Sequence, residues 1–344
     1  MELSHLQSFL QTTYPERNGL KVSNLRDITS GWETEIRSFD LEWQSPESTI
    51  VKHLVIRIFP GKWVEEKATK EFRFMKELHK LDYPVPKVYI LETDVSVIGY
   101  PFIIMDRING GTIEDRIRQS ENTRSHWLDV MCTLMVDLHN TKWDSLVSES
   151  MRIEIEDPYY IIYNLLSEIR NLLDRTNALL LLPIIEWLQT RVESVPCSKP
   201  AIIHGDFHAM NVLLNEHENP IVIDWGAARV SDSRIDLAWS LLLYLAYGSM
   251  ARRDDLLARY EKALGSSVKN IEYFEVIACL RRLHDIFVSI NQGTDSYGLR
   301  PEAVEMMRST IQHVINVRDR LKDLTGIVIP RIDSMIEEIQ NNEF

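Results

Sequence analysis

Three polar residues at fixed spacing are the part of this 344-residue chain best suited to chemistry. Asp206 and Asn211 follow the apolar residues 201–203, and Asp224 follows the apolar residues 221–223. Apolar runs of this length predict short buried strands, which do not ordinarily end in unpaired carboxylates. Two acids and an amide at one edge of a small sheet would suit a divalent cation and a proton acceptor, both of which phosphoryl transfer requires. The alternative is a buried turn whose Asp and Asn side chains cap the local backbone.

The composition is that of an ordinary globular protein with an acidic balance. Hydrophobic residues make up 44% and charged residues 26% of the chain, and the net charge is −13. This charge disfavours nucleic acid as a partner, and no basic stripe interleaved with aromatic residues is present. It favours a cationic small molecule, although acidity also serves solubility.

Cysteine usage and the distribution of apolar residues predict where the protein works. Cys132, Cys197 and Cys279 are widely spaced, which argues against a disulfide framework or a zinc site and favours a reducing compartment. The chain opens without the pattern of a signal peptide, and the longest apolar run, residues 178–185, is too short to cross a bilayer. We therefore expect a cytoplasmic protein with no membrane partner.

The chain divides into a strand-rich part and a helix-rich part. Strands are predicted at residues 20–23, 35–42, 50–59, 87–92 and 100–107, with an amphipathic helix at 63–81. Helices are predicted at 112–141, 159–173, 179–192, 235–247, 252–264, 271–290 and 301–324. These elements predict a small, mixed sheet-and-helix N-terminal lobe at 1–108, a joint at about 103–110 and a larger helical C-terminal lobe at 109–344.

Residues 204–211 (HGDFHAMN) and 223–225 (IDW) resemble the paired signature of the aminoglycoside phosphotransferase and choline kinase superfamily. The resemblance extends over roughly residues 20 to 300. Its members are protein-kinase-like enzymes that phosphorylate small molecules. It implies an α+β, bilobal fold with a small N-terminal β-sheet lobe and a larger, mainly helical C-terminal lobe. It further implies that the first lobe binds the nucleotide, that the joint is the hinge, and that the second lobe is catalytic and binds the substrate.

The resemblance also implies roles for the residues of the signature. Asp206 would be the general base that orients and deprotonates the acceptor hydroxyl. Asn211 and Asp224 would supply oxygen ligands to Mg²⁺. His204 and Asp236 would support the loop structurally, whereas His208 has no assigned role.

The strand-rich part should provide the groups that bind the nucleotide. Arg57, enclosed by apolar neighbours in a predicted strand, occupies the place of the family's usual lysine and pairs phosphate oxygens as a guanidinium. Glu71 shares a helix face with Ala68, Phe74, Met75 and Leu78, which makes it the best partner for Arg57. The alternative is a surface Glu71 paired with Lys67.

Two further segments are assigned to the nucleotide. Ser30, Gly31 and Thr34 are placed near the phosphates, although a plain strand-to-strand turn explains this single-glycine loop equally well. The backbone around Met105, Asp106 and Arg107 is placed against the purine base. Met105 alternatively belongs to the core.

The sequence therefore predicts a phosphotransferase with an alcohol group as acceptor, which moves the γ-phosphate of ATP or GTP to a small molecule. An aminoglycoside-like or other amine-bearing acceptor is favoured by charge. The side chains of Trp239, Tyr244, Tyr247 and Tyr273 either stack on that acceptor or belong to the helix core. The alternative function is a non-catalytic, nucleotide-binding pseudokinase or scaffold.

Overall fold

The computed structural model describes residues 3–28, 34–61, 64–291 and 310–341. The chain forms two compact units. The first comprises Met1–Thr112 and Val212–Gly226, and the second comprises Ile113–Asn211 and Ala227–Phe344. The first is built mainly on strands and the second mainly on helices, which is the α+β content that the sequence predicts.

A five-stranded antiparallel sheet forms the centre of the first unit, and each of its strands was predicted. The strands are β1 (Asn18–Ile28), β2 (Glu35–Gln44), β3 (Thr49–Ile58), β4 (Val88–Glu92) and β5 (Phe102–Asp106). Their order is β1-β2-β3-β5-β4. The last five residues of β3 are all buried, and Arg57 lies among them between Ile36 of β2 and Ile103 of β5. The sheet thus carries a guanidinium into an apolar environment.

Two helices pack in this unit. Helix α1 (Leu3–Thr13) contributes Leu6 and Leu10, which are completely buried in the core that includes Phe39, Ile56 and Phe102. This helix was not predicted from the sequence. Helix α2 (Val64–Lys80) buries Ala68, Glu71, Phe74, Met75 and Leu78, the face that the helical spacing predicts.

Residues 212–226 form a hairpin and a short turn in the first unit. Strand β7 (Val212–Leu214) pairs with β8 (Pro220–Val222), and Asn215 closes the turn by accepting hydrogen bonds from the backbone of His217 and Asn219, both at 2.9 Å. Strand β6 (Pro200–Ile203) pairs instead with β9 (Arg229–Asp232) in the second unit. The expectation that residues 201–203 and 221–223 share one small sheet was therefore wrong, because each run finds a different partner strand.

The second unit consists mainly of helices. They are α3 (Ile113–Gln119), α4 (Glu121–Asn140), α5 (Glu149–Ile155), α6 (Tyr160–Arg175), α7 (Leu182–Gln189), α8 (Arg234–Ala246), α9 (Met250–Leu264), α10 (Ile271–Asn291), α11 (Gln312–Thr325) and α12 (Pro330–Gln340). The single helix predicted at 112–141 is two helices, because Ser120 caps α4 by accepting a hydrogen bond from the backbone N–H of Asn122. Helices α5 and α12 were not predicted, and the predicted residues 301–309 lie outside the described residues.

The three cysteines all lie in the second unit, where each is buried and free. Burial raises the pKa of Cys132 and of Cys197 to about 12 and that of Cys279 further still. Among the described helices, none is long and apolar enough to cross a membrane.

Candidate active site

A tight turn after β6 presents Asp206 in the second unit. Gly205 has a φ of +81°, and a Cβ there would lie 2.7 Å from the carbonyl oxygen of Ala227, so this position requires glycine. The turn is fixed by Asp236 in the first turn of α8, whose carboxylate oxygens accept the backbone N–H groups of His204 and Gly205, each at 2.6 Å. Asp236 is fully buried. These two charge-assisted hydrogen bonds hold the backbone that carries Asp206.

The Asp206 carboxylate is held by side chains on both oxygens. Oδ1 accepts a 2.6 Å hydrogen bond from the indole N–H of Trp239, and Oδ2 lies 3.6 Å from His208 Nε2. Burial by itself would raise the pKa of Asp206, but the His208 ring and the Arg281 guanidinium lower this pKa well below its usual range. The side chain keeps 31% of its surface exposed. Asp206 is therefore a fixed, ionised carboxylate that remains accessible.

The two histidines of the signature differ in environment. His204 is completely buried, and its Nδ1 accepts the backbone N–H of Asp206 at 3.2 Å. This hydrogen bond joins His204 to the turn that carries Asp206. His208 lies beside Asp206 and is within 3.2 Å of Asn211 Nδ2.

Asn211 is oriented by its amide nitrogen. Nδ2 donates to the backbone carbonyl of Asp206 at 2.9 Å, and the other described contacts of this side chain also involve Nδ2. The amide oxygen is therefore the end that remains for an external partner. This is the donor type that Mg²⁺ prefers.

In the first unit, Arg57 joins Glu71 and Asp224. Arg57 Nη2 donates to Asp224 Oδ1 at 2.7 Å, and Nη1 lies 3.4 Å from Glu71 Oε1. Glu71 exposes 1% of its surface, so burial raises its pKa to about 7, although Arg57 opposes the shift. Glu71 is therefore not the surface residue of the alternative interpretation, although the charge of Lys67 also acts on it.

Asp224 adopts an unusual backbone conformation. Its φ is +67°, in the left-handed region that non-glycine residues seldom occupy, and 45% of its side chain is exposed. Such strain persists where the surroundings impose it, and it is concentrated at functional sites. Asn211 and Asp224 thus each carry an oxygen whose chemistry fits Mg²⁺. Among the described residues, no group of three or more His, Cys, Asp or Glu side chains forms a metal cluster.

The remaining predicted nucleotide residues are placed as follows. Ser30 and Gly31 lie outside the described residues, whereas Thr34 is buried at the residue before β2. Met105 is buried in β5, as its alternative core role requires. The backbone N–H of Asp106 donates to the carbonyl of Lys87.

The backbone N–H of Arg107 is likewise engaged, donating to the carbonyl of His53 at 3.1 Å. The backbone N–H groups of Asp106 and Arg107 are therefore both hydrogen-bonded to neighbouring strands or segments of the first unit.

Two residues beside Asp206 were not assigned there from the sequence. Trp239 was considered for stacking on an acceptor, yet its indole N–H binds the Asp206 carboxylate. Arg281 was not considered, although its Nη2 lies 3.8 Å from Asp206 Oδ1. The signal was present as a pair of arginines, Arg281 and Arg282, in the otherwise apolar middle of α10.

The fold and these residues define a protein-kinase-like phosphotransferase of the α+β class. The chain belongs to the Phosphotransferase enzyme family, whose sequence profile matches residues 25–286. The family resemblance, the kinase-like fold class and the kinase class of enzyme predicted from the sequence are thereby confirmed.

Solved structures share this fold. A putative aminoglycoside phosphotransferase from Ralstonia eutropha is 17% identical and superimposes with a TM-score of 0.64, covering 94% of this chain and 98% of that one. A macrolide 2′-phosphotransferase from Brachybacterium faecium is 16% identical with a TM-score of 0.53, covering 86% and 98% of the two chains. An aminoglycoside phosphotransferase solved with ADP and hygromycin B is 15% identical with a TM-score of 0.53, covering 91% and 98%.

Curated relatives are larger proteins. Acyl-CoA dehydrogenase family member 10 of Mus musculus is 27% identical over 186 residues, which are 51% of this chain and 16% of the relative. A probable acyl-CoA dehydrogenase of Arabidopsis thaliana is 24% identical over 214 residues, which are 58% and 26% of the two chains. The chain thus spans about a quarter or less of the length of these two relatives.

Proposed function

We propose that this protein transfers the γ-phosphate of ATP or GTP to a hydroxyl of a small acceptor, with Asp206 as the general base. The observation that carries the proposal is the Asp206 carboxylate, which is ionised, partly exposed and fixed by Trp239 on a turn that Asp236 holds in place. A carboxylate positioned in this way orients a hydroxyl without reorganising at the moment of reaction.

The acceptor oxygen bonds to the γ-phosphorus as the bond from that phosphorus to the β-phosphate oxygen breaks. The hydroxyl proton passes to Asp206, and the nucleoside diphosphate leaves. Because the pKa of Asp206 is low, the carboxylate mainly orients the hydroxyl and accepts its proton late, when the O–P bond has formed.

We further propose Asn211 and Asp224 as the ligands of Mg²⁺, following the family resemblance and the oxygen donors described above. When bound, the ion neutralises charge that develops on the phosphate oxygens. Arg57, oriented by Glu71, is proposed to bind nucleotide phosphate oxygens. Ser30, Gly31, Thr34 and the backbone of residues 105–107 remain proposed nucleotide contacts.

The test compares Asp206→Asn with the wild type. The variant keeps the shape of the side chain but loses the charge, so we expect phosphoryl transfer to fall by about 10²–10⁴-fold while nucleotide affinity stays within about twofold. Exposed Asp174 in α6 provides a matched control, because Asp174→Asn makes the same change of charge at a residue outside the contacts described for Asp206. Activity would be followed as nucleoside diphosphate release with ATP and GTP in parallel.

The acceptor panel for this test follows from the charge and from the neighbours. It contains aminoglycosides, macrolides and amino alcohols, since the net charge favours an amine, and hydroxyacyl thioesters, since the curated relatives carry the acyl-CoA dehydrogenase name. Nucleotide binding without turnover on any acceptor, unchanged by Asp206→Asn, would support the pseudokinase alternative.

A further inference from the structure

Two nitrogen-bearing side chains, those of Arg281 and His208, lie beside the Asp206 carboxylate in the second unit. Arg281 Nη2 lies 3.8 Å from Asp206 Oδ1, and His208 Nε2 lies 3.6 Å from Oδ2. An acceptor whose hydroxyl meets Asp206 therefore lies close to the Arg281 guanidinium as well.

The Arg281 guanidinium is held in place by its surroundings. Its Cζ lies 3.9 Å from the centroid of the Trp239 ring, and Nη1 donates to the carbonyl oxygen of Gly205. Trp239 in turn donates to Asp206. A guanidinium fixed by stacking and by a backbone acceptor loses little conformational freedom when it binds a ligand.

Arg281 nevertheless retains donors that the fold does not use. A guanidinium has five N–H donors. Among the described residues, the partners of Arg281 are Gly205, Asp206 and the Trp239 ring, and the 3.8 Å separation from Asp206 is too long for a hydrogen bond. The side chain is 39% exposed. Holding the loop through Gly205 requires only one nitrogen, so the rest of the guanidinium can bind a ligand.

Two other arginines of this unit contrast with Arg281. Arg229 donates to the Glu168 carboxylate at 3.0 Å, and Arg282 donates to the Tyr247 hydroxyl at 2.5 Å. Of these three arginines, Arg281 alone lacks a hydrogen bond to another side chain within the described part of the chain. Its one ionic side-chain contact is the 3.8 Å approach to Asp206, so it is the arginine of the three that can donate hydrogen bonds to an external anion without breaking an existing hydrogen bond to a side chain.

The acidic net charge of the chain favours a cationic acceptor, but it acts at longer range. The value of −13 is a sum over 344 residues. At physiological ionic strength, exposed charges are largely screened beyond about 8 Å. Arg281, at 3.8 Å from Asp206, is within that distance, so its charge acts directly on a small acceptor bound at this carboxylate although the chain as a whole is acidic.

We propose that the acceptor is a hydroxy acid whose carboxylate binds Arg281 while its hydroxyl meets Asp206. This inference rests on the proposed function and names the substrate class of the same site. With hydrogen bonds of about 2.8 Å at each end, the hydroxyl and carboxylate oxygens are separated by no more than about 9 Å. That spacing fits a short skeleton with a few carbon atoms between the two groups.

The experiment uses a panel in which the hydroxyl stays constant and the other terminus changes. Straight-chain compounds with the hydroxyl two, three or four bonds from the terminal carbon are compared as the carboxylate, the neutral amide and the ammonium. Wild type, Arg281→Gln and Arg281→Lys are assayed on each, with Arg282→Gln as the matched control on the same helix. The quantity measured is the ratio of kcat/KM for the carboxylate to that for the amide.

We expect the wild type to prefer the carboxylate, and Arg281→Gln to lower the carboxylate-to-amide ratio by about 10- to 150-fold, the loss of one charge-assisted interaction. Arg281→Lys should retain part of the preference, since it keeps the charge without the fork. Arg282→Gln should leave the ratio unchanged. If Arg281→Gln disturbed the loop as a whole, it would reduce kcat/KM for the carboxylate and for the amide alike. The ratio of the two values therefore reports only recognition of the carboxylate.

Other results would overturn the inference. A wild type that prefers the ammonium or amide, or a ratio that Arg281→Gln leaves unchanged, would leave the proposed function intact and remove the assigned role of Arg281. If no compound is phosphorylated, calorimetric binding of the carboxylates in the presence of AMP-PNP decides, and binding that does not depend on Arg281 refutes the inference. Failure of the proposed function is recognised separately, as nucleotide turnover that Asp206→Asn does not change.

Discussion

Replacing Glu71 by Gln tests the electrostatics of the first unit through the pH dependence of stability. Glu71 is 1% exposed, and burial raises its pKa from 4.5 to about 7, while Arg57 at 3.4 Å opposes that shift only in part. Between these two pH values the folded protein holds a proton that the unfolded chain has released. The contribution of Glu71 to stability is therefore fully present below pH 4.5 and is lost as the pH rises to about 7.

The size of the effect follows from the shift. Each pKa unit corresponds to about 1.4 kcal/mol, so ionising Glu71 in the folded state costs about 3 kcal/mol at neutral pH. Glu71→Gln removes the titrating group and keeps the shape of the side chain. We therefore expect the free energy of unfolding of the variant to increase by about 3 kcal/mol relative to that of the wild type as the pH rises from 4.5 to 7.5.

The measurement is urea-induced unfolding of both proteins at closely spaced pH values. Glu77→Gln serves as a control on the same helix, because Glu77 pairs with Lys80 at the surface and should change stability by less than about 1 kcal/mol at any pH. Parallel curves for wild type and Glu71→Gln would refute the reasoning, since they would mean that Arg57 keeps Glu71 ionised throughout.

Three further substitutions have definite expected outcomes. Gly205→Ala should destabilise the protein by more than about 2 kcal/mol in urea unfolding, because its Cβ would meet the carbonyl oxygen of Ala227 at 2.7 Å and its φ is +81°. Burial lowers the pKa of His313 from 6.5 to about 4. The free energy of unfolding of the wild type should therefore decrease by up to about 3 kcal/mol as the pH falls from 6.5 to 4, and this decrease should be absent in His313→Gln. Trp239→Phe should lower kcat by about 10- to 100-fold with nucleotide KM unchanged, because it removes the 2.6 Å hydrogen bond to Asp206. An unchanged kcat would show that this bond is dispensable.

Local patterns were sufficient to predict part of the site. The position of Glu71 on the buried face of α2 follows from helical spacing, and Arg57 stands out as the charge within an apolar strand. Both inferences need only the periodicity of one element. The five strands of the sheet were recognised for the same reason.

Contacts between distant parts of the chain were not accessible to such patterns. Trp239 lies 33 residues after Asp206. Strand β6 pairs with β9 although the residues of β7 and β8 lie between them in the sequence. Arg281 meets Gly205 across 76 residues. Nothing in the local spacing of any one of these residues specifies its partner, because packing among several helices determines it. The engagement of the Asp106 and Arg107 amides likewise depends on which strands pair.

Cys132, Cys197 and Cys279 all lie in the second unit. Their rates of reaction with a thiol reagent therefore measure local unfolding of that unit. Thiol reagents attack the thiolate, which is scarce while burial keeps these pKa values high. Labelling of the native protein therefore records excursions in which residues 113–211 and 227–344 open, and residues 1–112 contribute no signal. Comparing labelling rates with and without a nucleotide would show whether a ligand slows those excursions, with no probe introduced into the protein.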